Sequence, residues 1–253
     1  MKVASWNVNS IRVRLQQVLD WLDGEQPDVL GLQEIKMPTE DFPVAEFAEA
    51  GYVAEVDGQK TYNGVALLSK AEGTDIHRAI PGLADEQRRA IAGTYDGTRV
   101  INLYVPNGKA VGDEKYDYKL NWLAALNEWV ATEIAAHDKV VVMGDFNVAP
   151  DDRDVHDPEE WAGKILCSEP ERAALQVLLD LGLTDSFRLF EQAEGAFSWW
   201  DYRAAGFRRN RGLRIDLLLV SDAVKASCTA SRIDKEPRML ERPSDHAPVI
   251  VEF

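Results

Sequence analysis

Val140-Val141-Val142-Met143-Gly144-Asp145-Phe146-Asn147 decides how this chain is read. Three β-branched residues and a methionine make a short continuous apolar run, the signature of a strand buried on both faces, and Gly-Asp-Phe-Asn-Val-Ala-Pro then breaks it into a loop. Asp145 and Asn147 are therefore expected where a buried strand reaches the surface. In extended backbone, side chains at i and i+2 point the same way, so this carboxylate and carboxamide are expected to aim at one small target, a phosphate or a water. Taken alone, Gly-Asp-x-Asn is more often an ordinary Asx turn closing a strand. Its company elsewhere in the chain separates the two readings.

The 253 residues contain no linker-like stretch, repeat or low-complexity segment, and a single domain spanning 1–253 is expected. Hydrophobic residues at 45% and charged residues at 28% describe a globular chain with apolar surface enough for a sizeable core. The opening Met-Lys-Val-Ala-Ser-Trp-Asn turns polar too early for a signal peptide, and no apolar run approaches the ~20 residues of a membrane span. Cys167 and Cys228 lack metal-type spacing and suit a reducing compartment, so a cytoplasmic location is expected. Net charge is −15, from 28 Lys plus Arg against 43 Asp plus Glu. That average opposes a polyphosphate partner, but binding depends on the local face. Between Tyr202 and Ile215 there is no acid, and Arg203, Arg208, Arg209, Arg211 and Arg214 supply positive charge.

Outward from the central strand, Lys2–Val8 reads as a strand ending near Asn7, and a helix follows with Ile11, Leu15, Val18, Leu19 and Leu22 on one face and Ser10 as N-cap. Asp28–Gln33 is a second apolar run that delivers Glu34 at its exit. Strand-helix-strand order predicts parallel neighbours, which brings Asn7 and Glu34 together. Short strands are expected at Tyr52–Val56, Gly64–Ser69, Arg89–Tyr95 and Arg99–Val105, the last leaving Tyr104 beside a turn. A helix is expected over Tyr116–Ala136, an irregular loop over 151–168, and then a helix facing inward through Leu175, Leu178 and Leu179. Ile215–Val220 reads as a buried strand with Asp216 near its start, and Val249–Phe253 as the last strand, preceded by Asp245 and His246.

Asn7, Glu34, Tyr104, Asp145, Asn147, Asp216, Asp245 and His246 thus all fall at strand ends or in adjoining turns. Oxygen-rich ligands with no thiolate suit Mg²⁺ or Mn²⁺ rather than zinc, and Mg²⁺ needs only one or two carboxylates beside its waters and a substrate phosphate. Phosphodiester hydrolysis needs an activated water, neutralised phosphoryl charge and help for the leaving oxygen. The set contains a candidate for each. Asp216 inside an apolar strand calls for a buried partner, and His246 is the candidate.

Ser-Trp-Asn-Val-Asn-Ser, Leu-Gln-Glu-Ile-Lys, Tyr-Val-Pro-Asn-Gly, Gly-Asp-Phe-Asn, Gly-Leu-Arg-Ile-Asp-Leu-Leu-Leu and Pro-Ser-Asp-His-Ala-Pro occur here in the order found in exonuclease III-type AP endonucleases of the endonuclease/exonuclease/phosphatase superfamily, which the chain resembles from Lys2 to Phe253. The resemblance implies a four-layer α/β sandwich, two mixed sheets face to face with helices outside and a site at one edge. It also implies metal-dependent DNA cleavage 5′ to abasic sites and trimming of 3′ ends, on duplex DNA with abasic sites or 3′-blocked ends, by a monomer.

Carried onto these residues, it makes Glu34 the main metal ligand with Asn7 and Asp245 near the same ion. Asp145 orients or deprotonates the attacking water and Asn147 holds a phosphate oxygen, both within reach of the ion. His246, also placed among the residues at the ion, bonds a phosphoryl oxygen or takes the water's proton, with Asp216 orienting its ring. Tyr104 lies near the leaving oxygen. Arg12, Lys36 and Tyr62 fall at positions near the DNA backbone, and Trp199, Leu213 and Ile215 are expected to wall a pocket for a flipped, baseless sugar. Arg208 and Arg211 are expected to grip phosphate. Asn9 and Ser10 depart from the common pattern, as does Trp199-Trp200, and Leu166 borders the expected pocket, where it would bias the enzyme either toward abasic cleavage or toward 3′ trimming. The alternatives are a same-fold phosphodiesterase or phosphatase acting on RNA, inositol phosphates or lipid head groups, and a DNA-binding module without chemistry.

Overall fold

A computed structural model describes residues 1–253. The strands are β1 (Lys2–Asn7), β2 (Val29–Gln33), β3 (Val53–Asp57), β4 (Val65–Ser69), β5 (Thr74–Arg78), β6 (Ala90–Tyr95), β7 (Thr98–Tyr104), β8 (Val140–Asp145), β9 (Leu183–Asp185), β10 (Asp216–Ser221), β11 (Ala230–Ile233) and β12 (Val249–Glu252). The helices are α1 (Ile11–Glu25), α2 (Val44–Glu49), α3 (Glu114–Ala136), α4 (Pro158–Trp161), α5 (Glu169–Asp180) and α6 (Asp222–Lys225). One sheet runs β11-β12-β1-β2-β4-β3 and the other β5-β6-β7-β8-β10-β9. Each is mixed: β1 with β2 and β7 with β8 are parallel, and the remaining pairs are antiparallel.

The facing sides of the sheets meet through Val3, Val65, Leu67, Val100, Val141, Met143, Leu218 and Val251. Asn102 pins this apolar seam. Its amide donates to the carbonyls of Leu32 and Ala66 on the opposite sheet, each at 3.0 Å, and its oxygen accepts from Gln33 at 2.6 Å. On the outer face of the first sheet, Val18, Trp21 and Leu22 of α1 pack on Trp6, Leu30 and Leu32. On the outer face of the second, Trp122, Leu126 and Val130 of α3 and Leu175 and Leu178 of α5 pack on Ile101, Leu103, Val140 and Val142. Helix, sheet, sheet, helix is the expected four-layer α/β sandwich.

Local expectations hold with three kinds of correction. Ser10 occupies the N-cap position of α1, but its φ of 93° turns the backbone left-handed and its side chain caps nothing. Residues 151–168 contain a 3₁₀ turn at Asp152–Asp154 and the short α4. β5, β9 and β11, which periodicity does not reveal, are edge strands.

Candidate active site at one edge of the sandwich

The topology gathers the polar strand ends. β1, β2, β7 and β8 finish at one edge, and β10 and β12, antiparallel to β8 and β1, begin there. Tyr104 and Asp145 are register partners, as are Asp145 and Asp216. Gly144 permits this spacing. At φ 143° it presses so closely on β7 that a Cβ would sit 1.9 Å from the Leu103 carbonyl oxygen.

Asp145 is buried at the centre. Its carboxylate accepts from the Asn147 backbone N–H at 2.9 Å, from the Asn147 amide at 3.2 Å and from the Asn7 amide at 2.9 Å. The convergence of Asp145 and Asn147 does not come from extended backbone: Asn147 has φ 49°, and this left-handed residue folds back on its neighbour. Asn7 donates equally to Glu34 Oε1 at 2.9 Å, so one amide nitrogen bridges carboxylates of the two sheets. Its oxygen is engaged by the Asn9 backbone N–H at 3.0 Å, and so the nitrogen faces the carboxylates.

His246 completes the group. Nδ1 lies 2.9 Å from Asp216 Oδ2 and Nε2 3.7 Å from Asp145 Oδ2. Ser198, absent from the sequence-based set, donates to Asp216 Oδ2 at 2.6 Å and accepts from the Asp216 N–H at 3.0 Å. Burial alone would lower the His246 pKa, but the Asp216 and Asp145 carboxylates outweigh it and push it up to about 10. Burial pushes Asp145 up to about 7, against the opposing pull of His246. Burial, then the charges of Glu34 and Asp145, raise the Tyr104 phenol well above its ordinary value. It is a proton donor throughout the physiological range.

Ligand atoms of Glu34, Asp145 and His246 all lie within 4.8 Å of one another, a separation that fits a metal ion. The two carboxylates, with no thiolate, are hard oxygen donors, and the protonated imidazole stands beside them. Asp245 lines the same cleft beside these three, its oxygens accepting from Asn9 Nδ2 at 2.9 Å and Trp199 Nε1 at 3.0 Å. Burial would raise its pKa, but His246 and these hydrogen bonds overcome that and hold it below the ordinary carboxylate range. Lys36 Nζ pairs with Glu34 Oε2 at 2.9 Å.

A cleft of about 310 Å³ opens on the group, with Ile215, Trp199, Trp161 and Leu166 on its apolar side and Asn107 beside Asn147 on its polar side. Leu213 is not on that wall; it is fully buried behind it and bridges Trp199 through the backbone. Trp200 is core. Arg12 and Arg208 are exposed, Tyr62 is 68% exposed, and Arg211 is exposed but paired with Glu160 at 3.3 Å. Arg214 does not belong to the basic surface: it is buried between Asp154 at 2.6 Å and Asp185 at 2.7 Å. A larger cavity of about 730 Å³ lies beyond His156 and Asn210 and contains none of the clustered groups. No helix is long and apolar enough to cross a membrane.

Sequence reasoning also passed over Asn107, Lys119 and Glu171. Asn107 follows the Pro106 turn and was visible in the Tyr-Val-Pro-Asn motif, whereas Lys119 and Glu171 carry no local signal.

The chain is similar to known proteins over its whole length. Exodeoxyribonuclease III of Haemophilus influenzae is 40% identical over 266 residues, covering 100% of both chains. A Neisseria 3′ phosphatase, solved bound to a product DNA hairpin, aligns with TM-score 0.98 at 50% identity over 100% of this chain and 99% of that one. An AP endonuclease from Archaeoglobus fulgidus aligns with TM-score 0.96 at 37% identity, over 100% and 99%. Residues 4–246, from the first strand to the histidine of the clustered edge, match the Endonuclease/Exonuclease/phosphatase family, and the chain belongs to that family.

Proposed function

We propose that this chain is a Mg²⁺-dependent DNA-repair phosphodiesterase that cuts duplex DNA 5′ to abasic sites and trims blocked 3′ ends. The observation that carries the reading is the buried Asp145, held by Asn7 and Asn147 and facing a His246 that is itself oriented by Asp216. The names of the relatives support DNA as the substrate: an exodeoxyribonuclease III, a 3′ phosphatase solved with a product DNA hairpin and an AP endonuclease. We further propose that it works as a single-domain monomer, in a cytoplasm where its two free cysteines stay reduced.

Glu34 and Asp145, with His246 close by, would hold the Mg²⁺, which when bound neutralises charge on the phosphoryl oxygens. Asp145, buried and held toward the cleft by Asn7 and Asn147, takes a proton from the attacking water. His246, kept protonated, donates from Nε2 to a phosphoryl oxygen, while Asp216 fixes the ring through Nδ1. Tyr104 donates its phenol hydrogen bond toward the leaving oxygen. The water oxygen bonds to phosphorus, the P–O3′ bond breaks, the leaving oxygen takes up a proton to end the strand in a 3′-hydroxyl, and Asp145 returns the proton it took from water to solvent. Asn107 and Asn147 face the phosphate, and Trp199 with Ile215 contacts the sugar that no base fills. Asp245 supports this wall through Trp199 and Asn9. Arg12, Lys36, Tyr62 and Arg208 meet the DNA backbone.

The 50% identity to the Neisseria 3′ phosphatase, against 37% to the Archaeoglobus AP endonuclease, favours a second emphasis within this reading: removal of 3′ phosphate. The deciding experiment offers two duplexes, one with an internal tetrahydrofuran abasic analogue and one with a 3′ phosphate at a nick. Wild type is expected to process at least one with Mg²⁺, to stop with EDTA, and to lose ~10³-fold or more in rate on Asp145→Ala. Hydrolysis of an inositol phosphate with both duplexes left intact would overturn the reading.

A further inference from the structure

Behind the cleft, Lys119 of α3 and Glu171 of α5 are each fully buried and paired. None of the hydrogen bonds of the ammonium serves its own helix: it donates to Glu171, to the Asn147 carbonyl at 2.6 Å and to the Asn107 carbonyl at 3.2 Å. Glu171 in turn accepts from the Leu166 N–H at 3.1 Å and from the Ser168 N–H at 3.1 Å. Asn107, Asn147 and Leu166 all line the cleft. Asn147 at φ 49° and Leu166 at φ 72° both hold left-handed backbone that an L-residue keeps only when its surroundings impose it. Gly108 fits the same brace, since a Cβ there would meet Ile165 at 2.9 Å and the Lys119 stem at 3.0 Å.

A buried ion pair is seldom needed for stability, because well-packed apolar residues of similar volume serve as well. Here every bond it makes beyond the pair ends on a loop of the cleft or on the cap of α5.

We propose that Lys119 and Glu171 form a positioning brace that locks the phosphate-facing amides, Asn107 and Asn147, at a fixed distance from the opposite wall at Leu166. Lys119 acts through Asn147 and touches no substrate. The inference rests on the proposed function for its rate measurement, but its structural readout does not. Lys119→Met alone strands a buried carboxylate, so the test uses Lys119→Met/Glu171→Gln, which removes both charges and leaves an amide oxygen for Leu166, with Glu171→Gln alone as the control for the acceptor that the Ser168 N–H loses. The double variant is expected to fold, to keep KM for the abasic duplex within about threefold, and to lose ~100-fold in kcat, the scale of a 1 Å misplacement. Its Asn147 side-chain amide resonances are expected to move while those of Asn102, bonded to Leu32 and Ala66 of the opposite sheet, stay in place.

A folded double variant with wild-type kcat overturns the proposal, as does an unmoved Asn147 resonance whatever the rate. Failure of the double variant to fold also overturns it, because the pair would then serve the fold and not the site. Should wild type leave the abasic duplex uncut, the proposed function fails, and the Asn147 resonance still decides the brace.

Discussion

Asp145 and Asp216 stand directly opposite one another in the antiparallel register of β8 and β10. Two buried carboxylates so placed repel each other, and the His246 ring relieves that repulsion by facing both. Asp216→Asn is therefore expected to lower kcat by about 100-fold with little change in KM, since the substrate's own contacts survive. Asp216 also raises the His246 pKa, so activity that needs a protonated His246 should decline at lower pH in the variant than in wild type. A pH-rate profile from 6 to 10.5 checks both.

Metal affinity should follow the proton on Asp145. Its folded pKa of about 7 lies above the ordinary value of 3.8, so ionising it costs the metal-free protein stability: that contribution is intact below about 4 and is lost as pH rises through 7. Mg²⁺ must displace this proton, and the apparent Kd should weaken by about tenfold for each pH unit below 7 and level off above it. Calorimetric titrations between pH 5.5 and 8.5 measure the slope, and the rise in Tm caused by Mg²⁺ should grow over the same interval.

Neighbouring arginines should behave oppositely. Arg214→Ala leaves Asp154 and Asp185 short of a buried partner and is expected to destabilise the fold by ~3–5 kcal/mol, read by urea denaturation. Arg208→Ala, at an exposed position, should leave the denaturation midpoint unchanged and reduce the salt slope of duplex binding by about one phosphate contact. An equal loss of stability in both variants would contradict this division.

Gly144→Ala tests how tightly β7 and β8 set the position of Asp145. The added carbon would lie 1.9 Å from a backbone oxygen at a φ of 143°, so neither side can yield cheaply. A loss of at least ~3 kcal/mol in stability is expected, with activity reduced even in the fraction that folds.

The fold was legible wherever a strand is covered on both sides. Val140–Val142 and Leu217–Val220 announce themselves because each side chain meets either the opposite sheet or a helix. Three of the four edge strands, β5, β9 and β11, escaped, because an edge strand needs no continuous apolar run; in β5, Thr74, Asp75, His77 and Arg78 are all exposed. The clustered site was legible from its polar residues at strand ends, although the argument from extended backbone was wrong for Asn147. Arg214 was misplaced because a positive charge in an acid-free stretch does not disclose that its partners, Asp154 and Asp185, come from elsewhere. Lys119 and Glu171 share that fate: 52 positions apart, each reads as one more charge on an amphipathic helix.

The single amide nitrogen of Asn7, clasping Glu34 on its own sheet and Asp145 on the other, makes turnover a gauge of whether the two halves are seated. Neither half carries a complete set of reactive groups, so a fragment containing one sheet inherits none of the chemistry. Loosening at the seam should silence the enzyme before spectroscopy records any loss of strand content.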